Sequence, residues 1–144
     1  MKALWFAFLC LFPEANEAKK YSKCELYEEL KKYGLDGYST IGIGHWICLV
    51  LFTSRYDTEH YEYAEGQPYY GLFHLSGLIW CTNGRHSTQN ICKIDCEQFL
   101  DDNIADDIKC AKEVAKSKSG MMSWIRFQEY CHHPMPEILY WECT

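Results

Sequence analysis

The sequence predicts an α+β fold, with helical segments flanking a small β-rich insert. Three observations carry that expectation. Apolar residues recur at helical spacing near both ends of the chain, and the stretch from Arg55 to Asn90 changes to Tyr, Thr, Gly, Asn and His. Nine cysteines in 144 residues then mark a small disulfide-braced domain.

Taken in order, residues 1–18 read as a secretory signal. Lys2 supplies a positive start, Leu4 to Phe12 is apolar, Pro13 breaks the run, and Ala18 is a small residue suited to cleavage. The apolar run is too short to span a bilayer. Cleavage leaves one domain, residues 19–144, and removes Cys10. Eight cysteines remain, at 24, 48, 81, 92, 96, 110, 131 and 143. An even number implies four disulfides, but spacing alone does not choose among the 105 pairings that eight cysteines allow. Zinc is disfavoured as their role, because no Cys-x-x-Cys repeats.

Cys24 to Tyr33 reads as a helix, with Leu26, Leu30 and Tyr33 on one face and Gly34 as its stop. Trp46 to Ser54 reads as a second, more buried helix. Tyr56–Ala64 and Tyr69–His74 are candidate strands separated by the turn signal Glu65-Gly66-Gln67-Pro68. Ile104 to Lys116 returns to helix, with Ile104, Ile108, Ala111 and Ala115 aligned, and Met121 to Tyr130 reads as a shorter aromatic helix. Pro134 and Pro136 interrupt the tail. A formal net charge of −6 leaves no electrostatic footprint for nucleic acid. No Asn-x-Ser/Thr sequon is present.

The segment from Cys96 to Cys110 is the most informative chemically. Asp101, Asp102, Asp106 and Asp107 fall within seven positions, among apolar Phe99, Leu100, Ile104 and Ile108 that tie them to a core. Two carboxylates about 5 Å apart repel by roughly 3 kcal/mol at an effective dielectric of about 20. A hard divalent cation turns that repulsion into coordination, and oxygen-only donors favour calcium over zinc. The plainer reading is an acidic helix N-terminus favoured by the macrodipole, which accounts for one or two of the aspartates. The spacing is not that of an EF-hand: counting from Asp101, the sixth position is Asp106 rather than Gly and the twelfth is Lys112 rather than Glu. His132-His133 is the only adjacent histidine pair and reads as a surface pair, not a metal site.

Several motifs together resemble the C-type lysozyme and α-lactalbumin superfamily. They are Lys-Cys-Glu-Leu at 23–26, Leu-Asp-Gly-Tyr at 35–38, Thr-Ser-Arg-Tyr-Asp-Thr at 53–58, Tyr-Gly-Leu-Phe at 70–73, Trp-Cys at 80–81 and Asn-Ile-Cys at 90–92. Residues 99–112 resemble the α-lactalbumin branch. The resemblance implies a lysozyme-like fold: a helical lobe, a small three-stranded antiparallel β lobe, and a cleft between them. It implies the disulfides Cys24–Cys143, Cys48–Cys131, Cys81–Cys96 and Cys92–Cys110. For calcium it implies the backbone carbonyls of Gln98 and Asn103 with the carboxylates of Asp101, Asp106 and Asp107.

The lysozymes of this family cut glycosidic bonds with two carboxyl groups. Alignment on the quoted motifs puts Thr53 at the position of the acid and Tyr69 at that of the second carboxylate. A Thr hydroxyl is too weak an acid, and Tyr is neutral at physiological pH. The sequence therefore predicts no catalytic residues and no cell-wall hydrolysis. Asp57 and Glu65 are carboxylates that could have moved into the role, but they read as helix-end and turn residues.

The α-lactalbumin resemblance implies a secreted milk protein, the regulatory subunit of lactose synthase. It would bind β-1,4-galactosyltransferase and make glucose the acceptor in lactose synthesis. Its contacts map onto Leu51, Phe52, Tyr140 and Trp141. Phe52 stands where the family has a sugar-contacting His, and Tyr140 replaces the usual Gln. A catalytically inactive lysozyme-like sugar-binding or defence protein is the alternative implied by the same scaffold.

Overall fold

A computed structural model describes residues 19–134 and 137–144. The signal reading of residues 1–18 and the interruption at Pro136 lie outside them. Helix α1 spans Lys23–Lys32, and Ser22 starts it with a capping box: its hydroxyl accepts from the Glu25 N–H while Glu25 accepts from the Ser22 N–H. Leu26, Tyr27 and Leu30 form its buried stripe. Gly34, at φ 80°, ends the turn as its sequence position suggests.

Helix α2 spans Ile43–Thr53, three residues longer at its start than the apolar run indicates. Gly42 and Gly44 disguise that start. The Ile43 N–H is capped by the carboxylate of Asp36, seven residues away, at 3.0 Å. Ile43, Trp46, Ile47, Leu49 and Val50 are all buried.

The β lobe has three antiparallel strands in order β1 (Tyr61–Ala64), β2 (Gln67–Tyr70) and β3 (Leu75–Ser76). The first candidate strand is shorter than its sequence suggests, because Arg55 and Tyr56 adopt left-handed backbone at φ 54° and 66°. The turn between β1 and β2 is only Glu65-Gly66, both with positive φ, as a tight hairpin requires. Gln67 and Pro68, expected in the turn, belong to β2. The register pairs Glu62 with Tyr69, which brings both to the cleft side of the sheet.

Helix α3 spans Ala105–Ala115 and buries Ile108, Ala111, Val114 and Ala115. The aromatic helix expected over Met121–Tyr130 is two pieces, a 3-10 turn at Gly120–Ser123 and helix α4 at Ile125–Tyr130. Trp124 separates them in extended backbone (ψ 117°) and donates its indole N–H to the Phe73 carbonyl at 2.7 Å. That bond ties the helical lobe to the β lobe. Trp46 lies edge-on to both Phe73 and Trp124, so the cleft wall is also the centre of the core.

Four disulfides close the structure: Cys24–Cys143, Cys48–Cys131, Cys81–Cys96 and Cys92–Cys110. The first two join residues 119 and 83 apart in sequence, and such long loops restrict the unfolded chain by roughly 4 kcal/mol each. Among the described residues no helix is long and apolar enough to cross a membrane.

Candidate functional site: the interlobe cleft and the aspartate elbow

The cleft between the lobes encloses ≈ 380 Å³ and is walled by Trp80, Trp124, Tyr69 and His74. Thr53 is at its base, 5% exposed. Its hydroxyl donates to the Leu49 carbonyl one turn back at 2.8 Å, so the group is spent on its own helix. Tyr69 projects from β2 and stacks on His74, with ring centroids 4.1 Å apart and planes 5° apart. Burial first, then Glu65 and Glu62, push the Tyr69 hydroxyl above its ordinary pKa, so it stays a neutral phenol.

Asp57 is a turn residue, its carboxylate accepting from the Glu59 N–H at 2.9 Å. Glu65 is in the hairpin turn and does reach the cleft rim. Neither stands at Thr53 or Tyr69.

A polar network that the sequence did not announce fills the cleft wall. His60 just before β1, Glu62 on β1 and His74 in the segment after β2 come together. His60 Nε2 is 2.9 Å from His74 Nδ1. Glu62 Oε1 is 3.6 Å from His74 Nε2 and 3.5 Å from the Arg126 guanidinium, which also donates to the Phe52 carbonyl at 2.7 Å. Burial, then His60, then Arg126 depress His74 to about 3, and burial lowers His60 as well. With neutral imidazoles, the 3.6 Å approach of Glu62 to His74 is not an ion pair, and it is too long for a hydrogen bond. The signal for this cluster lay in the register: His60 and Glu62 are two apart on one strand face, and only the β2 pairing brings His74 to them.

The elbow begins with a 3-10 turn at Cys96–Leu100, capped by Asp95. Asp101 accepts from the Asn103 N–H, and the Asn103 side chain accepts from the Ala105 N–H, so both side chains build the bend leading into α3. Asp107 is fully buried, and neither of its carboxylate oxygens has a hydrogen-bond partner. The N–H groups of Asp107 and Leu72 face it and partly offset the cost, without the geometry of hydrogen bonds. Burial, together with Asp101 and Asp106, drives this carboxyl well above the ordinary carboxylate range. An unpartnered buried carboxylate within an all-oxygen donor set fits a hard divalent cation. The structure does not gather the donors tightly. Among the described residues, the trios of His, Cys, Asp or Glu with one donor atom each within 4.8 Å are Cys24–Glu142–Cys143, whose cysteines share a disulfide, and His60–Glu62–His74.

The partner contacts implied by the sequence fall in two patches. Leu51 and Phe52 share a depression with Arg126 and Tyr130, where Phe52 stacks on Tyr130 at 4.5 Å. Tyr140 stacks on Tyr27 of α1 at 5.7 Å, and Trp141 is 60% exposed. His132 and His133 are exposed, and the His133 carbonyl faces His45 Nε2 at 3.1 Å.

A helical lobe and a three-stranded β lobe, braced by four disulfides around a cleft, define a lysozyme-type scaffold. Residues 19–143 match the C-type lysozyme/alpha-lactalbumin family, and the chain belongs to it. The milk isozyme of lysozyme C from Canis lupus familiaris is 40% identical over 115 residues, 78% of this chain and 89% of that protein. Sperm acrosome-associated protein 5 from Homo sapiens is 38% identical over 125 residues, 85% of this chain and 79% of that protein. The crystal structure of recombinant wild-type canine milk lysozyme (apo-type) superposes with a TM-score of 0.83 at 37% identity, covering 88% of this chain and 99% of that one.

Proposed function

We propose that this chain is a non-hydrolytic member of its family, a secreted protein that binds saccharide chains in the cleft and is stabilised by calcium at the elbow. One observation carries the reading. The cleft is open, yet Thr53 and Tyr69 stand at the positions the family's motifs assign to its two carboxyl groups, the first bonded into its helix and the second stacked on an imidazole. Trp80, Trp124 and Tyr69 supply the flat apolar surfaces on which sugar rings pack. The four disulfides support an oxidising, extracellular setting.

In this proposal calcium is held by the carboxylates of Asp101, Asp106 and Asp107 with the carbonyls of Gln98 and Asn103. Its role is structural: it neutralises the buried Asp107 and fixes the bend between the β lobe and α3. The test is isothermal titration of cell-wall glycan oligomers against the calcium-loaded protein, with product analysis on the same samples. Saturable binding without shortened products supports the reading. Absence of binding, or cleavage, overturns it.

A second reading is the acceptor-specificity subunit of β-1,4-galactosyltransferase, which in milk would make glucose the acceptor for lactose. The exposed aromatic groups favour it. The Phe52–Tyr130 stack and Trp141 are the kind of anchor that protein interfaces use, flanked by Leu51 and Tyr140. Lactose formed from UDP-galactose and glucose should rise when the protein is added to the transferase. No rise at saturating protein removes this reading and leaves the first intact.

A further inference from the structure

We propose that His60, Glu62 and His74 form a transition-metal site in the cleft wall, of the kind that takes zinc. One nitrogen from each imidazole and one carboxylate oxygen already lie within 4.8 Å of one another. Donors on a tetrahedral zinc ion, at about 2.0–2.2 Å from the metal, are roughly 3.4 Å apart. The shortest contacts run through opposite nitrogens of the His74 ring, 2.9 Å from His60 Nε2 to His74 Nδ1 and 3.6 Å from His74 Nε2 to Glu62 Oε1, so holding one ion requires His60 and Glu62 to turn toward a single His74 nitrogen.

The scaffold holds these donors in place. His60 and Glu62 are on the same face of one strand edge, and the His60 carbonyl accepts from the Gly71 N–H at 2.8 Å. His74 adopts left-handed backbone at φ 54°, a conformation that disfavours side chains, so local strain is accepted to present an imidazole here. The Tyr69 ring stacked on it fixes its plane.

The donor set chooses the metal. Two imidazoles and one carboxylate suit zinc and its neighbours, whereas calcium requires oxygen throughout. Three protein donors leave a fourth tetrahedral position for water, and Glu62 and His74 both line the cleft. Arg126 is the competing cation on Glu62, and it keeps its bond to the Phe52 carbonyl if the metal takes the carboxylate. Glu65 and Glu129 line the same cleft and favour positive charge there.

The site is tested on the mature protein with calcium present, after other metals are stripped, by titration with zinc chloride and with cobalt chloride. One zinc ion should bind, and cobalt should give the intense visible bands of a tetrahedral N/O site. His74→Gln and Glu62→Gln should each weaken zinc at least tenfold. A His132→Gln/His133→Gln double variant should bind as the parent does. Near-UV circular dichroism checks each fold. If His74→Gln misfolds, imidazole nitrogen NMR of the parent decides: zinc must shift His60 and His74. No binding at about 100 µM free zinc overturns the proposal. So does binding unaltered in Glu62→Gln, or shifts confined to the other histidines.

Discussion

Gly71 joins the cleft to the elbow, and replacing it with alanine measures how firmly. Its backbone is left-handed at φ 79°, where a side chain costs about 1–2 kcal/mol. A Cβ there would lie 2.5 Å from the Phe99 carbonyl oxygen, 2.9 Å from Phe99 Cβ and 2.8 Å from Asp107 Oδ2. The carbonyl is backbone of the Cys96–Leu100 turn and cannot rotate away, so relief requires β2 and the elbow to separate. Forcing a methyl into a packed region costs about 1–3 kcal/mol more. Together Gly71→Ala should destabilise by roughly 3–4 kcal/mol, which for a domain of this size lowers Tm by roughly 10–15 °C. Gly66→Ala is the control. It has nearly the same φ, 78°, but nothing within 4 Å of its Cβ, so only the backbone cost of about 1–2 kcal/mol applies. Thermal unfolding by far-UV circular dichroism, with calcium present, reads both. If the two variants melt within about 3 °C of each other, β2 does not press on the elbow and the coupling argued here is wrong.

Chelation should lower Tm, because an ion that binds only the native state adds about 4 kcal/mol at a thousandfold excess over Kd. Asp107→Asn should melt at the same temperature with and without chelator; a persisting calcium response would place the ion elsewhere. Thr53→Glu with Tyr69→Asp restores both carboxyl groups at the family positions and should produce measurable cell-wall hydrolysis where the parent gives none, as read by turbidity loss. Burial raises Tyr56 from 10 to about 12. The folded state therefore keeps a proton that the unfolded state releases, so this contribution is whole below pH 10 and is lost as pH rises from 10 through about 12. Tyr56→Phe should flatten alkaline unfolding in that window, and an unchanged profile would contradict the shift.

The helical lobe was legible because its signals are local. The apolar stripe of α1 and its Gly34 stop lie in one short stretch of sequence. The misjudged ends mark long-range control. Asp36 reaches across seven residues to begin α2 at Ile43, and Trp124 gives up helical backbone for a bond to Phe73, 51 residues away. At the site, the placing of Thr53 and Tyr69 on the cleft followed from motif position alone. The His60–Glu62–His74 cluster did not, because it depends on strand register and on the backbone conformation of His74. The burial of Asp107 was equally hidden: the pattern of aspartates shows charge, not which carboxylate the core encloses.

The account rests on a cleft that holds sugar chains and leaves them whole. Mass spectrometry of a cell-wall glycan oligomer, incubated with the calcium-loaded protein at a concentration where binding is saturated, addresses it directly. The expected result is an oligomer of unchanged length that remains bound. Shortened chains whose formation stops in the Glu62→Gln variant would show that the cleft cuts with a carboxylate other than those the family uses.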